Sequence, residues 1–264
     1  MSKAFDRDGL TLSYRDEGRG PVLIFQHGLG ADASQPFEVV AGFEGFRQIT
    51  LECRGHGASN LGPVGELSIA TFADDVVALM DHLGIDSAHV GGISMGAAIA
   101  ARLAVRHQAR VLSLCLARPA WFDAAAPQNM AIFAVAAACM MSGGRDAFAV
   151  SEAFAVLKSQ SPDNATSLLG QFDAPDLAMR ADLLRAIALD GPGLSAADYA
   201  SIGLPTLVLG HEQDAVHPLA MARDIATVVP ESKLAQITPK SVDKAAYLNE
   251  FCTALAEFLS GEAA

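Results

Sequence analysis

Histidine does not occur after position 217 in this chain of 264 residues, and other things are scarce with it. Lysine and arginine number 18 against 30 acidic residues, a net charge of −12, and no basic run is present to track a phosphate backbone. Nucleic acid is therefore excluded as a partner. The acidic balance itself bears on solubility and not on the substrate. The four cysteines (Cys53, Cys115, Cys139 and Cys252) are scattered, without metal-ligand spacing or the density of a disulfide framework. Reduced thiols and a cytoplasmic location are expected. The first residues run straight into charge (Lys3, Asp6, Arg7, Asp8), with no apolar stretch of an export signal. The longest apolar run, Met130 to Met141, falls far short of the roughly 20 residues that span a bilayer, which predicts a buried helix and no membrane partner. Neither a glycine-rich phosphate loop nor a metal-ligand cluster stands out, so no cofactor, dinucleotide or catalytic metal is expected.

What is present is apolar: 51% of residues are hydrophobic and 18% charged, a composition that builds one well-buried domain. Short apolar runs predict strands at Leu10 to Tyr14, Val22 to Phe25, Gln48 to Cys53, Ala88 to Gly91, Val111 to Ala117, Thr206 to Leu209 and Lys233 to Ile237. The first two are close enough to start the sheet antiparallel. From about residue 50 the strands alternate with helical patterns, which requires crossovers and predicts an α/β fold, a mostly parallel central sheet with helices on both faces. Thr71-Phe72-Ala73-Asp74 has capping-box spacing, and Phe72, Val76, Leu79, Met80 and Leu83 form the stripe of the following helix up to Gly84. Between about 118 and 200 the alternation stops in favour of Ala-rich and Leu-rich helical stretches. This divides the chain into a core of residues 1–117 and 201–264 and an inserted helical cap of residues 118–200.

The chemistry centres on Gly92-Ile93-Ser94-Met95-Gly96, a G-x-S-x-G pattern placed after a strand and before a helix. A sharp strand-to-helix turn puts a serine hydroxyl above the sheet, and its glycines remove the Cβ atoms that would clash. The helix beyond it starts with small residues and aims free N–H groups at the serine. Two other segments join it: His27-Gly28-Leu29-Gly30 after a strand, and Glu52-Cys53-Arg54-Gly55-His56-Gly57-Ala58-Ser59.

In these segments and their order the chain resembles the α/β-hydrolase superfamily along nearly its whole length outside the cap. The resemblance implies Ser94 as nucleophile, an oxyanion hole from the backbone N–H groups of Leu29 and Met95, and Asp214 as the triad acid, in Gly210-His211-Glu212-Gln213-Asp214-Ala215-Val216-His217-Pro218. It implies a small-molecule substrate, an ester, lactone or related carbonyl compound. His27 and His56 are expected to hold loop geometry.

The superfamily's general base follows the last strand, and here that stretch reads Ile237-Thr238-Pro239-Lys240-Ser241-Val242-Asp243-Lys244, with the base's place near Ser241. A serine hydroxyl is a poor nucleophile until a neighbour takes its proton, help worth roughly 100- to 10,000-fold. Three readings stay open. His217, three residues past Asp214, reaches the serine from the acid loop; Lys240 serves as base or holds an anionic group; or the scaffold has left triad hydrolysis for ligand binding or non-hydrolytic carbonyl chemistry. Arg118, after the strand that enters the cap, and Lys240 together suggest a carboxylate-bearing ligand, with Ser241 beside them. Trp121, Phe122, Met130, Phe133, Met140 and Met141 are expected to shape a largely hydrophobic pocket over Ser94.

Overall fold

Leu23 and Phe25 face one core and Ile24 another; Cys115 and Ala117 divide in the same way from Leu114 and Leu116, and Leu207 and Leu209 from Val208. Side chains alternate across a strand, so these continuous apolar runs belong to strands buried on both faces. The structure, a computed structural model, describes residues 2–41 and 44–262. Among them the strands β1 (Lys3–Arg7), β2 (Leu10–Gly18), β3 (Val22–Gln26), β4 (Arg47–Leu51), β5 (Ala88–Ile93), β6 (Val111–Ala117), β7 (Thr206–Gly210) and β8 (Lys233–Gln236) form one sheet. Its order is β1-β2-β4-β3-β5-β6-β7-β8. The pairs β1/β2 and β2/β4 are antiparallel and the rest parallel.

Helices α1 (Ser34–Val39), α2 (Ile69–His82) and α3 (Met95–Arg106) precede β6. Six more lie between β6 and β7: α4 (Ala131–Ser142), α5 (Gly144–Ala149), α6 (Glu152–Gln160), α7 (Pro162–Gly170), α8 (Leu177–Ala188) and α9 (Ala196–Ala200). Then come α10 (Leu219–Val228) and α11 (Lys244–Glu262). Phe251, Leu255 and Phe258 of α11 close one face of the sheet, while α2, α3 and α10 pack on the other. Burying each such side chain is worth roughly 1.5–3 kcal/mol. No helix among the described residues is long and apolar enough to cross a membrane.

Four expectations are corrected. Strand β1, with only Phe5 buried, is an edge strand that the sequence pattern hides. The antiparallel start is made by β1, β2 and β4, since β2 pairs with β4 and not with β3. Helix α2 is capped by Ser68, whose hydroxyl accepts from Thr71 N, so the helix begins before the Thr71 box. Helix α4 is only partly buried, and Met141 is exposed.

The turn from β5 into α3 depends on contacts closer than any side chain permits. A Cβ on Gly96 would lie 2.2 Å from the carbonyl oxygen of Gln26, and one on Gly92 2.4 Å from the carbonyl carbon of Gly96. Both obstacles are backbone and cannot swing aside. Gly96→Ala is therefore expected to cost about 3 kcal/mol or more of stability, read as a lowered denaturation midpoint. An unchanged midpoint would show that β3 and α3 are not in this contact.

Candidate active site

Parallel strands send their carboxyl ends to the same edge of a sheet, and the loops beyond them share that edge. Here β3 delivers Gly28 and Leu29, β5 Ser94, β6 Arg118, β7 Asp214 and His217, and β8 Lys240. All but Asp214 line one cavity of about 110 Å³.

Ser94 stands at φ 58° and ψ −112°, in the left-handed half of backbone space, which costs an L-residue of order 1–3 kcal/mol. Arg118 (φ 47°) and Gln213 (φ 58°) are strained in the same sense, so three of the six such non-glycine residues among those described lie at this edge. Among the described residues no hydrogen bond reaches Ser94 Oγ. The flanking N–H groups of the β3 loop are spoken for: Gly28 N donates to Gln35 Oε1 at 2.7 Å and Gly30 N to His56 Nε2 at 2.9 Å. Leu29 N–H between them, and Met95 N–H at the first position of α3, have no acceptor among the described residues. Two uncommitted donors thus flank the serine's cavity.

His27 and His56 hold loops. His27 Nε2 accepts from Cys53 N at 3.0 Å and its Nδ1 donates to Gly28 O at 2.8 Å; His56 Nδ1 donates to Arg54 O at 3.0 Å. Burial lowers the pKa of both rings, so they stay neutral. The Glu52 carboxylate accepts from Ala58 N at 2.8 Å, closing the same loop system.

Asp214 is buried and fully engaged. Its Oδ1 accepts from Asn164 Nδ2 at 2.6 Å, His217 Nδ1 at 2.8 Å and His217 N at 3.0 Å, and its Oδ2 takes Arg118 Nε at 2.8 Å and a terminal nitrogen at 2.7 Å. Burial alone would raise this carboxyl's pKa, but the charges of His217 and Arg118 and the hydrogen bonds from His217 and Asn164 outweigh it and hold it well below the usual range. An Arg118 nitrogen also lies 3.2 Å from His217 Nδ1. The shorter contact, to the anion, fixes the proton on Nδ1 and leaves Nε2 as the basic nitrogen. Burial lowers the His217 pKa against the pull of Asp214, which keeps that nitrogen unprotonated at neutral pH.

Arg118 therefore departs from expectation: its charge is spent on Asp214, and although burial lowers its pKa, the charge and hydrogen bond of that carboxylate outweigh burial and leave it raised. Arg118→Met is expected to cost about 3–5 kcal/mol at neutral pH by stranding the carboxylate. The lowered Asp214 pKa stabilises the fold above the unfolded value of about 3.9, and that stabilisation is lost as pH falls through the folded pKa. The gap between variant and wild type should hence shrink under acid, as chemical denaturation from pH 7 down to 3 would show; a constant gap would mean that Asp214 is not the group involved.

Lys240 lines the cavity, half-buried, with no ion pair within 4 Å among the described residues. Ser241 is exposed, 3.4 Å from Gln213 Oε1, and does not line the cavity, which removes it from the binding set. The expected hydrophobic lining is also corrected. Of the aromatic and methionine candidates only Phe133 reaches the cavity; Trp121 is buried with its indole N–H on Asp190 O, and Phe122 packs on Tyr199. Polar groups from α7 and just beyond it, Asp163, Asn164, Ser167 and Gln171, share the wall with Leu29, Ile93, Phe133, Leu168 and Val216. None was singled out from the sequence. Ser161, just before α7, accepts from Ala215 N at 2.6 Å and donates to Gln213 O at 2.8 Å, so the insertion clasps the acid loop from both sides of the chain.

Over 119 residues the chain is 37% identical to the dihydrolipoyllysine-residue acetyltransferase component of an acetoin cleaving system of Cupriavidus necator, covering 44% of this chain and 32% of that protein. It is 34% identical over 119 residues to 3-oxoadipate enol-lactonase 1 of Acinetobacter baylyi, covering 44% of each. The matches thus span less than half the length of these curated relatives. The crystal structure of the enol-lactonase from Burkholderia xenovorans LB400 superposes with a TM-score of 0.77 at 24% identity, covering 98% of this chain and all of that one, a likeness of fold. The sequence profile of the alpha/beta hydrolase fold matches residues 21–240, and the chain belongs to that family.

Proposed function

We propose that the protein hydrolyses a small carboxylic ester, lactone or related carbonyl compound through Ser94, with His217 in place of the absent histidine. The observation that carries this reading is the Asp214–His217 pair, joined at 2.8 Å, with His217 on the wall of the cavity that Ser94 also lines. The relatives named as enol-lactonases support the reaction class.

His217 Nε2 takes the proton as Ser94 Oγ attacks the carbonyl carbon. Asp214 holds the ring and its imidazolium, and Leu29 N–H and Met95 N–H receive the negative oxygen. Collapse expels the alkoxide, which takes the proton from His217. Water, deprotonated by the same nitrogen, then attacks the acyl-serine and frees the acid. The lack of a hydrogen bond to Ser94 Oγ among the described residues is compatible with this chemistry, since catalytic hydrogen bonds often tighten only with substrate bound. Residues 118–200 act as a cap over the core of residues 1–117 and 201–264, and Lys240 attracts a carboxylate on the substrate.

A second reading has an observation of its own: no histidine follows His217, and no hydrogen bond reaches Ser94 Oγ among the described residues. On that reading the scaffold binds a small, carboxylate-bearing ligand without turnover or performs non-hydrolytic carbonyl chemistry. A fluorophosphonate serine reagent separates the two. Rapid formation of a Ser94 adduct, seen by mass spectrometry, is expected; its absence in a folded protein that admits the reagent favours the second.

A further inference from the structure

Leu29 N–H stands at the end of a chain of amides that all point the same way. The carbonyl of its own peptide, Gly28 O, accepts from Ala31 N at 3.1 Å and from His27 Nδ1 at 2.8 Å. The carbonyl of the Ala31 peptide, Gly30 O, accepts in turn from Gln171 Nε2 at 3.4 Å, and Gln171 Oε1 accepts from an Arg180 terminal nitrogen at 3.1 Å. Gly30, at φ 76°, leaves room for that side-chain amide, since a Cβ there would lie 2.0 Å from Gln171 Oε1. Arg180, half-buried in α8, has no carboxylate within 4 Å among the described residues, and its buried Nε has no hydrogen-bond partner there. A desolvated cation without a counter-ion is costly. Its field reaches this loop: burial lowers the pKa of His27 and His56, and the charge of Arg180 adds to that lowering.

Hydrogen bonds in series polarise one another, so an amide whose oxygen accepts from a cation donates more strongly through its N–H. From the Arg180 guanidinium, the Gln171 side chain, the Gly30–Ala31 peptide and the Gly28–Leu29 peptide each accept at oxygen and donate at nitrogen. The last donor, Leu29 N–H, lies on the cavity and has no acceptor among the described residues. We infer that Arg180 and Gln171 are positioning residues, which carry the charge of Arg180 to Leu29 N–H and strengthen its hold on a negative oxygen above Ser94. The inference rests on the hydrolase reading proposed above and deepens it. A carboxylate beside Arg180 would cancel the field at the far end, so a cation left without one suits such a relay.

The test compares wild type with Gln171→Met, Arg180→Met, Arg180→Lys and the double variant Gln171→Met, Arg180→Met. With methyl butanoate as substrate, each single methionine variant is expected to lower kcat about 10-fold with KM little changed, a fraction of the roughly 100- to 1,000-fold that loss of a whole oxyanion donor costs. Arg180→Lys, which keeps a charged donor, should recover most of the loss. Links of one relay fail together, so the double variant should match either single one, whereas independent contributions would multiply to about 100-fold. Unfolding temperature should hold in Arg180→Met, because no counter-ion is stranded. Calorimetric affinity for the methyl monoester of propylphosphonic acid, an inert tetrahedral anion, is measured in the Ser94→Ala background and should follow the same pattern without turnover. That pattern in a protein that hydrolyses no ester would sink the hydrolase reading and keep the relay. Unchanged kcat and phosphonate affinity in both single methionine variants, multiplied losses in the double variant, losses that follow a lowered unfolding temperature, or no phosphonate binding at all overturns it.

Discussion

Alanine at position 94 is expected to lower kcat/KM for a short-chain ester by about 1,000-fold or more. Ser94 is placed where nothing else can replace its oxygen: the strained φ of 58° lifts it off the end of β5, and the backbone contacts at Gly92 and Gly96 fix that turn. On the proposed mechanism, removing the hydroxyl removes the acyl-enzyme route, while the two free N–H groups and the cavity remain. Such remnants still yield about 1,000-fold over water in serine hydrolases, so weak residual turnover is expected and does not count against the assignment. Turnover in Ser94→Ala equal to wild type would end the nucleophile reading. The loss should appear in kcat, with unfolding temperature held, because alanine keeps the backbone hydrogen bonds and conformation of Ser94 and no hydrogen bond to Oγ is lost among the described residues.

His217→Gln should follow with a fall of about 100- to 10,000-fold, the range of general-base assistance. Glutamine keeps the size of the ring and a donor for Asp214, but offers no group able to take a proton at neutral pH. The pH profile identifies the base independently. A base works in its unprotonated form, so kcat/KM rises with pH through its pKa. Burial holds the His217 pKa below its ordinary 6.5, which puts the rising limb on the acid side of 6.5 and a plateau at neutral pH. An amine base such as a lysine of ordinary pKa would put that limb near pH 10. A profile still climbing there, and flattened by Lys240→Met, would transfer the role from His217 to Lys240.

The residues differ sharply in how far their positions could be read from the chain. The elbow was legible because a local pattern, a strand, two glycines and a small-residue helix, specifies it completely. Strands β5, β6 and β7 were legible because nearly all of their residues are buried and most are apolar. Strand β1 was not, since an edge strand of the sequence Lys-Ala-Phe-Asp-Arg has one buried side chain and no pattern to betray it. Within the site, the partnership of Arg118 with Asp214 joins residues 96 positions apart. A loop arginine carries no mark that its charge is already taken. Asp163 and Asn164 look like the usual acidic and polar start of a helix behind Pro162, and only the folding of α7 over the β7 loop turns them into cavity wall. Hydrophobic periodicity locates elements; it is silent on which polar side chains two distant elements will present to each other.

Asp214 and His217 lie three residues apart, with the ring and the backbone N–H of His217 both bonded to the same carboxylate oxygen. An acid and a base carried on different loops need both loops in register before either is useful. Here the alignment is written into one short stretch of chain, so the pair travels as a single cassette whenever the β7 loop shifts. On the proposed mechanism the loop between β8 and α11 is thereby released from proton chemistry, and Lys240 within it is left to act on the substrate by its charge alone.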